Sequence, residues 1–297
     1  MEAQRELELY IGPLQEWKGT AVNSQSLQII SNGDVGTLKV QARIQKNCVS
    51  APNLSTISIW NLDRNTINSL RRSGGVSVNL YAGFQGEAKE LVYAGGIQAI
   101  QVSRQGPDIV TTLICLTGGA NLARATTSKT YTYKVPVADV VRELAETIPG
   151  VVADPTNINV TGTIGYAGWS FIGSTKEALD KLAYQFGFSW SIQDGKFVAI
   201  SDGRTTGQGI LLNAANGLKK VSPRLTGLMQ YQEGVDIEGL YVPNVGPNKL
   251  IKIKSEVNPE CNGNWTCHTI DYDLCPKDNS WDMHITSFLT FGAWDNG

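Results

Sequence analysis

The hydrophobic pattern along most of the chain has a period of two. In the stretch V-S-V-N-L-Y-A-G-F, which begins at Val76, apolar and polar residues alternate, as is typical of a half-buried strand. Two more extended segments follow at 90–102 and 108–116, with short polar turns between them. Three strands joined in this way predict a meander that curls toward a barrel or sandwich. Gly95 and Gly96 allow a bulge or a sharp bend in the second strand.

Further strands are predicted on both sides of this meander. The pattern indicates four before it, at Leu7–Ile11, Leu27–Ile30, Leu38–Ile44 and Ser55–Trp60. It indicates five near the end of the chain, at Leu225–Gln232, Gly234–Val242, Lys249–Lys254, Trp265–Tyr272 and Trp281–Phe291.

Three segments change to a helical period. Residues 62–74 predict a short helix with Asp63 as its cap. A second helix is predicted after Pro136, where apolar residues recur on one face as far as Ile148. A third follows the sequence S-T-K-E at Ser174, which predicts a capping box.

The order of these elements predicts the domain organisation. Asp194-Gly195 predicts a hairpin after the third helix, and residues 202–208 resemble a linker. We therefore expect a β domain at 1–126, a small α+β domain at 127–201 and a second β domain at 202–297. The fold class is mainly β with an α+β insert, and the two flanking domains are expected to be tube-like β-barrels.

Charge and composition exclude several classes. The formal net charge is −2, and without a basic tail tight binding of nucleic acid is not expected. This charge does not exclude a protein that lets DNA pass, since passage needs only weak contact. No apolar run approaches the roughly 20 residues of a spanning helix. The first residues lack an apolar signal core, so we expect assembly in a cytoplasm and no stable membrane insertion.

Candidate chemistry is sparse. Three cysteines and two histidines lie near the end of the chain: Cys261, Cys267, His268, Cys275 and His284. Thiolates and imidazole could hold zinc, but the spacing lacks a C-x2-C knuckle, so Cys261, Cys267, His268 and Cys275 are weak metal candidates. A disulfide between two of the three cysteines is an alternative, and free thiols are the preferred interpretation.

Catalytic interpretations are weaker still. Asp271, Asp273 and Asp282 are candidates for paired carboxylates, but we interpret them as solvated carboxylates in turns. No phosphate-binding loop or nucleophile motif occurs in the sequence, and no cofactor is expected. The aromatic residues are expected to be core or contact residues, although a sugar-binding face remains open; they are Trp169, Phe171, Trp190, Trp265, Trp281 and Trp294. Of these, Trp294 is the one expected at an interface.

The order of several motifs resembles a known family. The run I-S-I-W-N-L at Ile57–Leu62, followed by V-N-L-Y-A-G-F, V-Y-A-G-G-I and T-T-L-I-C-L-T-G-G, resembles the hub proteins of contractile-phage baseplates. V-A-D-V-V-R-E-L-A, A-Y-Q-F-G-F-S-W and D-G-K-F-V-A-I resemble the middle domain of that family, and I-L-L-N-A-A-N-G-L with S-P-R-L-T-G-L its last part. The resemblance covers about residues 30 to 290, and only the stretch Cys261–Cys275 departs from it.

The resemblance implies a structural protein of the virion and not an enzyme. It implies a homotrimer whose six barrels form a pseudo-sixfold ring between the tail tube protein above and the central spike protein below. The tape measure protein is a further candidate partner, and genomic DNA would pass through the axial channel. Two alternatives stay open: a tail-associated carbohydrate-binding module, and a hub with cell-wall hydrolase activity.

Overall fold

Strands dominate the described part of the chain. The protein is represented by a computed structural model, which describes residues 4–13, 27–72, 76–226, 231–278 and 280–289. Its first part forms helix α1 (Arg64–Arg72) and strands β1 (Arg5–Pro13), β2 (Leu27–Asn32), β3 (Val40–Asn47), β4 (Leu54–Trp60), β5 (Val76–Phe84), β6 (Glu90–Gln105) and β7 (Asp108–Leu116).

The middle part alternates helices and strands, and the last part consists of strands. The middle elements are α2 (Gly119–Arg124), β8 (Thr126–Tyr131), α3 (Val137–Ala145), β9 (Ile158–Asn159), β10 (Trp169–Ser174), α4 (Thr175–Phe186), β11 (Phe188–Gln193) and β12 (Lys196–Ser201). The last are β13 (Thr206–Asn213), β14 (Leu218–Thr226), β15 (Tyr231–Leu240), β16 (Lys249–Lys254), β17 (Gly263–Leu274) and β18 (Trp281–Leu289). None of the described helices is both long and apolar enough to span a membrane.

One 13-stranded sheet contains the strands of the first and the last part. Its order is β14-β15-β18-β17-β3-β4-β7-β6-β5-β1-β2, with β16 beside β17 and β13 beside β16. No pairing among the described strands closes this sheet into a barrel. The predicted mainly β class is confirmed, and the arrangement in two barrels stays a proposal.

Strand β17 connects the two β regions. Its first residues, from Gly263 to Thr266, pair with β16, and its second half, from Thr269 to Leu274, pairs with β3. A register irregularity lies between Cys267 and Thr269, where β17 changes partner. Because one strand serves both regions, their cores merge: one buried cluster includes Leu80 and Leu113 from the first part with Ile285 from the last.

The middle part has a core of its own. Val141 and Leu144 of α3 and Leu182 of α4 are buried with Trp190 and Phe197 of the β11–β12 hairpin. This is the packing of helices on a small sheet that the sequence predicts. We call residues 127–201 the insert, and its boundaries remain sequence predictions.

Two predicted helix starts have different outcomes. The cap of α1 is confirmed, because a carboxylate oxygen of Asp63 accepts hydrogen bonds from the backbone N–H of Asn65 (2.8 Å) and Thr66 (3.1 Å). Helix α4 begins after Ser174 as predicted, but the Ser174 side chain makes no cap hydrogen bond. The capping box is therefore wrong, although the position of the helix is right.

The strand predicted at 225–232 is also wrong. Strand β14 ends at Thr226 and β15 begins at Tyr231, while residues 227–230 lie outside the described residues. Leu225 and Thr226 of β14 pair with Gln232 and Tyr231 of β15, so the predicted segment contains the ends of two antiparallel strands. Strand β14 also includes Pro223, which is confined to sheet edges and bulges. Strand β14 pairs only with β15 among the described strands, and an edge strand tolerates a residue that has no N–H.

Strand β6 changes partner at the predicted glycines. Residues from Glu90 to Gly96 pair with β5, and residues from Gly96 to Gln105 pair with β7. Register irregularities flank this point, one at Leu80/Tyr81 of β5 and one at Ile97/Ala99 of β6. The second half of β6 thus has β7 on one side and no partner among the described strands on the other.

Candidate functional site

A polar face runs across the middle of the large sheet. Eight strands follow one another in this region, β14-β15-β18-β17 from the last part and β3-β4-β7-β6 from the first. In β3, β4, β7, β15, β17 and β18 core-facing residues are buried and the alternate residues face solvent, whereas residues 97–105 of β6 are half-buried or exposed. We call this solvent side the polar face; it includes Gln41, Arg43, Gln45, Thr56, Asp236, Glu238, Asp271, Asp273, Asp282 and His284.

Two carboxylates of like charge lie side by side on the polar face. Asp273 of β17 is directly opposite Asp282 of β18, a pairing that is unfavourable by itself. Asp273 accepts a hydrogen bond from Nε2 of Gln41 (2.8 Å) and lies 3.5 Å from Nε of Arg43. Asp282 lies 2.5 Å from Nζ of Lys219. Basic side chains from β3 and β14 therefore offset the repulsion from both sides.

The cross-strand row next to that of Asp273 and Asp282 has a histidine at its centre. His284 of β18 is directly opposite Asp271 of β17 on one side and Glu238 of β15 on the other. Glu238 in turn lies 3.2 Å from Nζ of Lys220. Both rows line a depression of about 610 Å³ that extends from Leu54 of β4 to Lys219 of β14. The polar face therefore combines acidic and basic groups on a surface built by both β regions.

The placement of the three acids corrects the sequence interpretation. Asp271, Asp273 and Asp282 lie in strands β17 and β18, not in turns. Asp271 and Asp282 lie within the strands predicted at Trp265–Tyr272 and Trp281–Phe291, and Asp273 lies just beyond the predicted end of the first. The three acids alternate with buried Ile270, Tyr272 and Leu274 or follow buried Trp281. Glycoside hydrolysis requires an acid in an apolar pocket facing a second carboxylate, whereas Asp273 and Asp282 each meet a basic side chain.

The weak metal candidates are spread over the last part of the chain. Cys261 lies in a short turn before β17, Cys267 and His268 lie at the irregularity of β17, and Cys275 follows the end of that strand. Within the described ranges, no three His, Cys, Asp or Glu side chains lie close enough together to hold one metal ion. All five cysteines of the chain are free and buried.

Burial sets the protonation of this segment. It raises the pKa of the Cys261, Cys267 and Cys275 thiols, which disfavours the thiolate form that binds metal. Burial also lowers the pKa of His268, and the nearby positive charge of Arg224 adds to that effect. His268 packs edge-on against the ring of Phe288, with 5.1 Å between the centroids. Its role here is packing.

The aromatic candidates divide into three groups. Trp190, Trp265 and Trp281 are buried in the two cores. Trp169 and Phe171 of β10 are half-buried and stack on each other with centroids 5.9 Å apart. Trp294, the predicted interface residue, lies outside the described residues.

Comparison with known proteins identifies the family. The sequence from residue 26 to residue 287 matches the profile of the family described as baseplate hub gp41. Among curated protein sequences, none matches this chain.

Solved structures with a similar fold are tail proteins. The 43 kDa tail protein of prophage MuSo2 from Shewanella oneidensis is 9% identical, with a TM-score of 0.61 over 94% of this chain and 96% of that one. A tail protein from Neisseria meningitidis MC58 is 9% identical, with a TM-score of 0.60 over 95% and 96% of the two chains.

A third similar structure comes from a secretion system. The E. coli c3393 protein, described as a type VI secretion component that resembles the T4 tail proteins gp27 and gp5, is 11% identical, with a TM-score of 0.55 over 86% of this chain and 75% of that one. At such identities the similarity concerns the fold, whereas the sequence profile covers most of the chain. The chain therefore belongs to the baseplate hub gp41 family, and its role is structural, in the baseplate of a phage tail.

Proposed function

We propose that three copies of this chain form a pseudo-sixfold ring that joins the tail tube to the central spike. The observation that supports this most directly is the composition of the eight-stranded region, in which each β region supplies four strands. Two similar four-stranded walls per chain give six walls in a trimer. Such a ring can meet a sixfold tube on one side and a threefold spike on the other.

The polar face is proposed to line the axial channel. Three copies would place about 24 strands around the ring, and at about 4.8 Å per strand the backbone circle is about 37 Å across. Each wall is backed by further strands, β5, β1 and β2 in the first region and β16 and β13 in the last. We propose that each wall and its backing strands are one tube-like barrel, in line with domains at 1–126 and 202–297.

The charges of the polar face suit passage of DNA better than binding of DNA. Asp236, Glu238 and Asp282 are paired with Arg224, Lys220 and Lys219 respectively. A surface whose basic groups are already neutralised gains little from contact with phosphates. DNA would therefore meet neither strong attraction nor a strongly repulsive wall.

Light scattering on the purified protein at low and high concentration tests the ring. A trimer would have a mass of roughly 97 kDa, three times the chain mass of 32.2 kDa, and electron microscopy should show a ring with a sixfold outline. A monomer at every concentration, also when co-expressed with tube and spike proteins, would contradict the ring. Binding of host glycan by such a monomer would instead favour the carbohydrate-binding alternative.

The hydrolase alternative has its own test. Release of peptidoglycan fragments by the wild type, and its loss in Asp271→Asn or Asp273→Asn, would establish that activity. We expect no release, because Asp273 is met by Arg43 and Gln41 and Asp271 lies opposite Gln45 and His284 on the polar face.

A further inference from the structure

The turn of the β11–β12 hairpin inserts into the large sheet. Asp194 and Gly195 form this two-residue turn, both with positive φ (51° and 78°). One carboxylate oxygen of Asp194 accepts a hydrogen bond from the backbone N–H of Ala94 in β6 (3.0 Å). The other lies 2.5 Å from Nζ of Lys46 in β3. The insert is therefore held at a point where two strands of the large sheet come close together.

Lys46 makes this contact important for the stability of the fold. It follows Val40, Ala42 and Ile44 on the core-facing side of β3, and only 8% of the residue is exposed. A buried ammonium without a counterion is strongly destabilising. The end of the β core thus depends on a carboxylate that belongs to the insert.

The hydrogen bond to Ala94 lies close to the point where β6 changes partner. Strand β7 pairs with β6 as far as Gly96 and then leaves the sheet, since the chain turns at Gly118 with a φ of 68°. Ala94 lies two residues before Gly96 in sequence, past the last residue that pairs with β7, and it is buried. The Asp194 carboxylate therefore accepts a hydrogen bond from the backbone N–H of Ala94 on the side of β6 where β7 no longer pairs. It fixes β6 at the point where the strand passes from β5 to β7.

A second contact reinforces the first. Gln193, next to the turn, donates a hydrogen bond from Nε2 to the backbone carbonyl of Asn47 (2.5 Å) and accepts one from Nδ2 of Asn53 (3.4 Å). Both partners lie at the connection between β3 and β4. The insert thus contacts β3, β6 and the β3–β4 connection through two neighbouring side chains.

We propose that Asp194 is a docking pin: the folded insert must be seated on the large sheet before the second half of β6 takes the shape that a neighbouring copy can meet. This inference rests on the proposed ring, because it makes assembly conditional on the insert. Residues 97–105 of β6 have β7 on one side and no partner on the other among the described strands. They begin only three residues after Ala94, so a shift at Ala94 is transmitted directly to this edge.

Two double variants test the hydrogen bond between Asp194 and Ala94 separately from the buried charge of Lys46. Lys46→Met removes the buried charge in both, so that neither variant leaves an ammonium unpaired. Asp194→Asn keeps an oxygen acceptor for Ala94 in a residue type that tolerates positive φ, whereas Asp194→Gly keeps the turn but has no acceptor. The control is Asp139→Asn. Asp139 is an exposed carboxylate of the insert that pairs with Arg142 of the same helix (3.1 Å).

Hydrogen exchange and solution mass are the readouts. We expect amides of residues 92–105 to exchange at least tenfold faster in the Gly variant than in the Asn variant, with α3 equally protected in both. We also expect only the Gly variant to lose the mass of three chains. Where the wild type has the mass of three chains, equal masses for the two variants would overturn the proposal.

The ring itself can fail without deciding this question. If the wild type is a monomer, the proposed ring is contradicted. Hydrogen exchange at residues 92–105 alone then tests whether Asp194 holds β6 in place. Equal exchange in the two variants would overturn that role.

Discussion

Asp273 and Asp282 face each other across β17 and β18, and each is met by a basic side chain from a further strand, Arg43 and Lys219 respectively. The four residues come from β3, β14, β17 and β18. Their arrangement holds two carboxylates together in the middle of a surface that both β regions build.

Replacing Lys219 by Gln should lower the stability of the protein slightly. Asp282 would then face Asp273 without its counterion, but all four side chains are at least 40% exposed, so we expect a loss of only about 0.5 kcal/mol in the free energy of unfolding. Urea denaturation at low salt measures it, and about 1 M NaCl should remove it. Lys254→Gln, at an exposed position on β16, is the control; an equal effect there would contradict the assignment.

Lys89 should contribute far more, because its ion pairs are buried. Its Nζ lies 2.7 Å from Glu6 and 2.8 Å from Glu8, with side-chain exposures of 14%, 9% and 22%. Lys89→Met would leave these carboxylates without a counterion and should cost about 3 kcal/mol in thermal or urea unfolding. Adding Glu6→Gln should recover part of the loss, and no recovery would count against the ion-pair explanation.

The Lys89 contribution should also depend on pH. Hydrogen bonds to Glu6 and then to Glu8 raise the pKa of Lys89 in the folded state. Its stabilising effect is therefore fully present below the unfolded pKa of about 10.4 and is lost as pH rises through the higher folded value. The gap in stability between wild type and Lys89→Met should narrow above that pH.

Asp63 and Ser174 are a matched pair of cap positions. Asp63→Ala removes two hydrogen bonds to the first turn of α1 and should cost about 1 kcal/mol. Ser174→Ala removes no side-chain cap bond and should cost clearly less. Urea midpoints of the two variants measure the difference, and equal costs would mean that the cap bond of Asp63 contributes nothing.

His268 should make the protein less stable in acid. Burial, followed by the charge of Arg224, lowers its pKa below the ordinary value of 6.5. As pH falls through that ordinary value the unfolded chain binds the proton first, so stability declines. The urea midpoint of the wild type should fall more steeply between pH 7.5 and 5.5 than that of His268→Gln. Parallel slopes would show that His268 does not contribute.

Gly95 should not accept a side chain. A Cβ there would lie 2.8 Å from the carbonyl oxygen of Leu116 and would overlap the Tyr93 hydroxyl. Because backbone blocks one side, we expect Gly95→Ala to cost about 2 kcal/mol or more. Gly36→Ala, where nothing lies within 4 Å of the added carbon, should leave the melting temperature nearly unchanged. Similar melting temperatures for both variants would contradict the close approach.

Local patterns predicted the elements of the fold well. The meander, α1, α4 and the Asp194-Gly195 hairpin depend on neighbours in sequence, so strand alternation, helical periodicity and turn residues were sufficient. The ends of β14 and β15 were merged into one strand at 225–232, because an extended pattern on both sides of a boundary does not show where one strand ends.

The polar face could not be predicted for a different reason. Gln41 and Asp273 meet although they are 232 residues apart, and no local pattern indicates that β3 pairs with β17. The acids were therefore interpreted without Arg43 and Lys219, and the importance of Asp194 was hidden because Lys46 and Ala94 are distant in sequence. The hub interpretation came instead from the order of the motifs, which the family match supports.

The dependence of β3 on β17 has a consequence for biosynthesis. A ribosome that adds about 5–20 residues per second needs roughly 10–50 s to make the chain between Gln41 and its partner Asp273. During that time β3 has β4 on one side and an open edge on the other. Nascent chains on neighbouring ribosomes can pair through such edges, so slow translation should favour aggregation and a holdase chaperone should raise the yield.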